Sequence, residues 1–268
     1  MSLHECFYSL INAVSSIDGV LSIGKSGGEK LPVQNESDID IFVFCNQIPN
    51  AEARQAALRS ESAVSEMKIS ETGGRFWGVC DFITVDTVEI CLMYFTVSDM
   101  NGEIESVLNG SRLDRENEYF YPTGRCATFL SMYILYDKNG YISDMKEKLS
   151  VYPQLLSKKL YNHHILKVND NEDFERAVRR GDVLFYHATL ERAADHYFQA
   201  LFALNKCFFP SRKRTLSLIE DFKYKPTNCS ARLLEVIELG ARAETLSKSY
   251  EIWSALCKEL LDAAERTE

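Results

Sequence analysis

The spacing of apolar residues changes near the middle of the chain, and this change constrains the fold more than any other feature. Up to about residue 120, short apolar runs typical of β-strands alternate with helical segments. From Thr123 onward, apolar residues recur every three or four positions, which is typical of amphipathic helices. The sequence therefore predicts an α+β domain with a short mixed sheet over residues 1–122, followed by an all-helical domain over residues 123–268.

The first half contains recognisable start signals for its elements. Ser2 and Glu5 have the spacing of a capping box, which predicts that a helix begins there. Strands are predicted over residues 19–24 and 38–45, and an Ala-rich helix over residues 51–67. Two further strands, residues 79–85 and 88–95, are separated by Asp86-Thr87, which predicts a tight hairpin.

Charge and cysteine content exclude several classes of protein. The 268 residues carry 30 basic and 39 acidic side chains, a net charge of −9, which disfavours binding to extended nucleic acid. No segment resembles a signal peptide, and no apolar run is long enough to cross a membrane, so we expect a cytoplasmic protein that does not bind membranes. Eight scattered cysteines with no C-x-x-C pair indicate reduced thiols rather than a zinc site.

Residues 19–26 match the P-loop pattern G-x-x-x-x-G-K-[ST], but their surroundings do not. In a P-loop, the residues between the glycines form a loop and a helix begins at the lysine. Here those residues are apolar, which predicts a strand, and Ser26 is followed by Gly-Gly-Glu-Lys-Leu-Pro, which cannot begin a helix. We therefore favour a strand followed by a loop of small residues, whose backbone N–H groups and Ser26 hydroxyl can approach phosphates.

Two carboxylates lie close together on the second predicted strand. Because side chains alternate along a strand, Asp38 and Asp40 point to one face, about 6.5 to 7 Å apart, while Ile39, Ile41 and Val43 point to the core. Neighbouring carboxylates on an apolar strand repel each other unless a cation lies between them. This pattern predicts a divalent metal site, and Mg²⁺ binds carboxylates together with phosphate oxygens.

The small-residue loop followed by Ser37-Asp38-Ile39-Asp40-Ile41 resembles the signature of the DNA polymerase β-like nucleotidyltransferase superfamily. The resemblance is particularly to its two-domain bacterial branch, which includes kanamycin and lincosamide nucleotidyltransferases. One departure is Lys25, where the family usually has glycine. The family has a third carboxylate on a neighbouring strand, and Glu89 fits that place, with Asp86 and Asp81 as competitors. The resemblance assigns nucleotide binding to a small set of residues: Gly24, Lys25, Ser26, Gly27, Gly28 and Ser37.

The resemblance implies transfer of a nucleoside monophosphate, with AMP from ATP favoured over other NTPs, to a hydroxyl group with release of pyrophosphate. Asp38, Asp40 and Glu89 would be the catalytic metal ligands, holding two Mg²⁺ ions. The acceptor implied is a small molecule such as an aminoglycoside or lincosamide. The alternatives are a nucleotidyltransferase that modifies protein or RNA, as in toxin–antitoxin systems, and a non-catalytic nucleotide sensor.

The helical half is expected to supply the acceptor pocket and the general base. Asp182 and Glu191 lie near the start of the longest predicted helix and are the candidate bases, although each is also a typical solvated helix charge. The sequence leaves the oligomeric state open, with a homodimer as one alternative.

Overall fold

The computed structural model describes residues 2–31, 38–61, 63–72, 74–85, 87–116 and 120–265. The chain divides into two compact units, Met1–Ser106 with Arg125–Val151, and Val107–Gly124 with Tyr152–Glu268. Each unit has its own cluster of buried apolar side chains. None of the helices in these described ranges is both long enough and apolar enough to span a membrane.

The first unit combines a sheet with helices. Its strands are β1 (Val20–Lys25), β2 (Ile39–Cys45), β3 (Val64–Thr72), β4 (Val79–Val85), β5 (Val88–Thr96) and β6 (Tyr133–Asp137). Its helices are α1 (Leu3–Ser15), α2 (Ala51–Arg59), α3 (Gly74–Trp77), α5 (Gly124–Ser131) and α6 (Tyr141–Leu149), and most of α4 (Val97–Leu108) also belongs to it.

The six strands form one mixed sheet in the order β3-β4-β5-β2-β1-β6. Strands β2 and β5 are parallel, and the other neighbouring pairs are antiparallel. The predicted α+β class with a mixed sheet is therefore confirmed. The predicted hairpin is also present, because Val85 pairs with Val88 across the turn between β4 and β5.

Strand β2 is buried on both of its faces for most of its length. On one face Ile39, Ile41 and Val43 pack in the same core as α1, whose predicted capping box between Ser2 and Glu5 is present. On the other face the Phe44 ring lies 5.2 Å from that of Phe129 of α5 and 5.1 Å from that of Tyr141 of α6. The strand therefore carries apolar side chains on both faces, and its polar residues occur only at its start.

Two expectations about the chain path differ from the structure. The predicted helix over residues 51–67 ends at Arg59, and Val64–Thr72 instead pairs with β4 as the outer strand of the sheet. The predicted division at residue 123 also differs from the observed one. The chain returns to the first unit for Arg125–Val151 because Tyr133–Asp137 forms a strand against β1.

The second unit is helical, and none of its described residues forms a strand. Its helices are α7 (Gln154–Ile165), α8 (Asn171–Arg180), α9 (Val183–Leu204), α10 (Thr215–Ile219), α11 (Cys229–Gly240) and α12 (Leu246–Glu265), with a 3₁₀ turn over Ala243–Thr245. The core contains the fully buried rings of Phe174, Tyr186, Tyr197 and Trp253. All eight cysteines of the chain are thiols rather than disulfides.

Candidate functional site

Three carboxylates begin two neighbouring parallel strands of the first unit. Asp40 of β2 pairs with Cys91 of β5, and paired residues of parallel strands point to the same face. Glu89 precedes Cys91 by two residues and therefore shares this face. Asp38 lies one residue before β2, where continuation of the register places it opposite Glu89, about 4.8 Å away between the strands. The structure thus brings together the three residues that the sequence predicted.

The pKa of the buried Cys91 thiol is affected by the negative charges of two of these carboxylates. Its hydrogen bond with Cys80 and its burial raise the pKa of Cys91, and the negative charges of Asp40 and Glu89 raise it further. Asp40 is half-buried, whereas Asp38 and Glu89 are exposed. The carboxylate end of the face is accordingly a region of negative potential that solvent can reach, which favours a bound cation. A cleft of about 750 Å³ opens beside Glu89, with Lys68, Phe82 and Thr84 among its lining residues.

A loop of small residues follows β1 beside the carboxylates. The backbone N–H of Ser26 donates to the carbonyl of Asp40 over 3.0 Å, which fixes the loop to the carboxylate strand. Gly27 and Gly28 have φ angles of +80° and +84°, a left-handed conformation that favours glycine. A Cβ atom at either glycine would meet no atom within 4 Å, so the loop is open on that side. Successive N–H groups in such a turn can form an anion-binding concavity.

Two of the predicted nucleotide-binding residues have structural roles in this loop region. Gly24 packs under α6 and the end of α5, because a Cβ there would lie 2.1 Å from the sulfur of Met132. Lys25 pairs with Ile41 and therefore points to the face opposite Asp40. Its buried ammonium donates to the carbonyls of Ser26 and Lys30 over 3.2 and 3.0 Å, and burial lowers its pKa. Ser37 lies outside the described residues.

The competitors for the third carboxylate are not part of this group as far as the structure describes them. Asp81 pairs with Leu92, so its side chain lies on the opposite face of the sheet. It is fully buried and accepts from Arg54 Nε over 2.8 Å, which makes it half of a structural ion pair between β4 and α2. Asp86 lies outside the described residues.

Arg125 is a buried cation on the carboxylate face that the sequence pattern did not indicate. Its guanidinium carbon lies 4.9 Å from the ring centre of Phe95 and 5.4 Å from that of Phe42. Burial lowers the pKa of Arg125, while the negative charges of Glu103 and Asp40 counteract this effect. The sequence pattern does not indicate this position, because it assigns all residues after Thr123 to a separate helical domain, whereas Arg125 belongs to the first unit.

The two candidate bases lie on α9 of the second unit, and both have partners. Asp182 is the N-cap of α9, and its carboxylate accepts the backbone N–H of Phe185 over 3.0 Å. Glu191 forms an ion pair with Arg212 over 3.1 Å. Both carboxylates therefore already have partners within the second unit.

A separate group of polar side chains joins α7 to the segment after α4. His164 is fully buried, and its Nε2 lies 2.8 Å from the carbonyl of Leu113. Ligand atoms of Asp114, His163 and His164 lie within 4.8 Å of one another, as in some metal sites. The ammonium of Lys167 lies 2.9 Å from His163 Nε2, so a cationic group already occupies this position. We therefore do not regard this group as a metal site.

This chain shows only distant similarity to known proteins. Residues 121–214 match a protein family described as a domain of unknown function, DUF4037. No curated protein matches the chain in sequence. One similar solved structure is a nucleotidyltransferase-like protein from Exiguobacterium sibiricum, which is 10% identical with a TM-score of 0.49. That alignment covers 97% of this chain and 75% of the other.

A second similar structure is an aminoglycoside 6-adenyltransferase from Bacillus subtilis, which is 11% identical with a TM-score of 0.29. That alignment covers 98% of this chain and 91% of the other. Both TM-scores are below 0.5.

Proposed function

We propose that this protein is a Mg²⁺-dependent nucleotidyltransferase, which transfers AMP from ATP to a hydroxyl group of a small molecule. The observation that carries the proposal is the register of β2 and β5, which puts Asp38, Asp40 and Glu89 on one face beside an open glycine loop. A metal site next to a phosphate-binding loop is the arrangement that nucleotidyl transfer needs.

The chemistry of the donor set fits Mg²⁺. All three side chains offer carboxylate oxygens, which are the ligands that this ion prefers. Asp38 and Asp40 would hold two ions, and Glu89 would complete the site of one of them. Bound Mg²⁺ would stabilise negative charge on the phosphates and on the attacking oxygen.

The loop after β1 would hold the phosphates of the nucleotide. Its N–H groups at Gly27 and Gly28 and the hydroxyl of Ser26 are the groups available for this. Lys25 would act indirectly, because its ammonium holds the carbonyls of the loop rather than a phosphate. Ser37 remains part of the proposed nucleotide site from the sequence resemblance alone.

The second unit would supply the acceptor contacts and the general base, for which Asp182 and Glu191 remain the candidates. A base variant, Asp182→Asn or Glu191→Gln, should bind nucleotide normally and lose turnover by about 10²- to 10⁴-fold. If both variants keep full turnover, the base lies elsewhere in the chain or in a partner subunit.

The experiment that tests the function is incubation with Mg²⁺ and each NTP, together with a panel of aminoglycosides, lincosamides and other hydroxylated compounds. We expect a nucleotidyl adduct by mass spectrometry and matching pyrophosphate release, both lost in Asp40→Asn. Asp18→Asn is the matched control. Asp18 is exposed and precedes the start of β1, whereas the glycine loop follows the end of this strand. Nucleotide binding without any adduct would indicate a sensor, and labelled protein or RNA would indicate a macromolecular acceptor.

A further inference from the structure

The second unit contains a cavity of about 490 Å³ between α9 and α11, which is within the usual size of small-molecule sites. The two helices approach closely at Gly240, where a Cβ atom would lie 3.0 Å from the ring of Tyr186. Farther along both helices the cavity opens, with α10 at one side and the indole of Trp253 among its lining groups.

The walls of this cavity are mostly apolar. Leu190 and Phe198 of α9 face Leu233 and Val236 of α11. Leu234 and Ile237 also line the cavity and expose 47% and 54% of their surface, so the apolar lining extends to the outside of the protein. The cavity can therefore take the apolar body of an organic molecule.

The charged groups at the cavity leave one positive charge in excess. Arg212 and Arg115 together balance Asp195 and Glu191. Arg212 Nε lies 2.6 Å from Asp195 and its Nη2 lies 3.1 Å from Glu191, and Arg115 Nη1 lies 2.6 Å from Asp195. Arg214 is exposed and forms no ion pair with any residue in the described part of the chain. An unpaired cation at this place contrasts with the net charge of −9 of the whole protein.

We propose that this cavity binds an organic anion with an apolar, ring-sized body, whose anionic group lies against Arg214. The charge of Arg214 and the apolar walls together fit such a molecule, whereas a polycationic sugar fits neither. Glu191, one of the candidate bases, is among the lining residues of the cavity. The proposal does not depend on nucleotidyl transfer, and its test needs no nucleotide, so the two proposals can fail separately.

The test is titration of the full chain with anilinonaphthalene sulfonate, a fluorescent anion with two aromatic ring systems. We expect saturable binding of one probe per chain. Ala194→Trp puts an indole ring into the cavity and should weaken binding at least about tenfold, because the ring occupies volume that the probe needs. Ala188→Trp, at an exposed position of the same helix, is the matched control and should bind like the wild type.

The role of Arg214 is tested separately on the surface, where substitution does not disturb the core. Arg214→Gln should weaken the anionic probe about two- to fivefold and leave binding of neutral phenylnaphthylamine unchanged. Arg180→Gln, an exposed arginine of α8, should change neither.

Three results would overturn the proposal. The first is equal binding of the anionic probe to Ala194→Trp and the wild type, and the second is equal loss of both probes in Arg214→Gln. The third is a stable dimer in sedimentation equilibrium that Ala194→Trp dissociates, because a second copy would then cover the cavity.

Discussion

At the scale of single residues, the role of a charged side chain in this protein depends on the face of the sheet on which it lies. Asp40 and Lys25 belong to paired strands, yet one points to the carboxylate face and the other to the core. The sequence predicted the carboxylates because strand alternation alone fixes their common face. It could not assign Lys25, because the target of a long side chain depends on the loop that folds over it.

Gly24 illustrates a residue whose role is packing rather than phosphate binding. Gly24→Ala should lower the free energy of unfolding by about 1–3 kcal/mol, because the new methyl group overlaps the sulfur of Met132. Chemical denaturation measures this loss. The double variant with Met132→Ala should be more stable than the sum of the two single losses, and strict additivity would contradict the contact.

At the scale of elements, a buried ion pair links α2 to β4. Arg54→Met should destabilise the fold by about 3–5 kcal/mol, because it leaves the fully buried Asp81 without its cation. Urea denaturation measures the effect. The double variant Arg54→Met with Asp81→Leu should recover part of the loss, because the backbone N–H of Ser70, which donates to Asp81 over 2.9 Å, also loses its acceptor. No recovery would contradict the assignment of the loss to the unpaired charge of Asp81.

The contact of α7 with the segment after α4 should make stability depend on pH. Burial lowers the pKa of His164 from 6.5 to about 4, and the side chains of His196, His163, Asp114 and Lys167 surround it. Its contribution to stability is therefore complete above pH 6.5 and is lost as the pH falls toward 4.

We expect the free energy of unfolding to fall on the order of 2–3 kcal/mol over this pH range through His164. His164→Asn should flatten the profile measured by denaturation at several pH values, whereas exposed His4→Asn should leave its slope unchanged. An unchanged slope in His164→Asn would show that other groups cause the dependence.

Some elements of this fold can be predicted from the sequence and others cannot. Helix α1 and the β4–β5 hairpin follow from local signals, a capping box and a two-residue turn. Strand β3 pairs with the next strand, β4, but its first residues continue the segment for which the sequence predicts a helix. Strand β6 does not follow from local signals, because it pairs with β1, a strand distant in sequence. For the same reason, the sequence suggested Glu89 as the third carboxylate, but only the parallel register of β2 and β5 gives its position.

At the scale of the whole molecule, the chain passes between its two units more than once, which limits how it can be divided. A fragment of residues 1–122 lacks α5, β6 and α6, and so exposes Phe44 and the outer edge of β1. We expect it to aggregate or to unfold without cooperativity in thermal circular dichroism. A fragment of residues 1–151 retains every element of the first unit and should unfold cooperatively. Equal cooperativity of the two fragments would contradict the observed division.

The central claim is that Asp38, Asp40 and Glu89 form one metal site with the loop after β1. Its most direct test is Mn²⁺ binding, followed by electron paramagnetic resonance in the presence of a non-hydrolysable ATP analogue. We predict that the wild type and Asp18→Asn bind Mn²⁺ with the nucleotide, and that Asp40→Asn and Glu89→Gln each weaken binding more than about tenfold. Undiminished Mn²⁺ binding in both Asp40→Asn and Glu89→Gln, with the fold intact, would contradict the account.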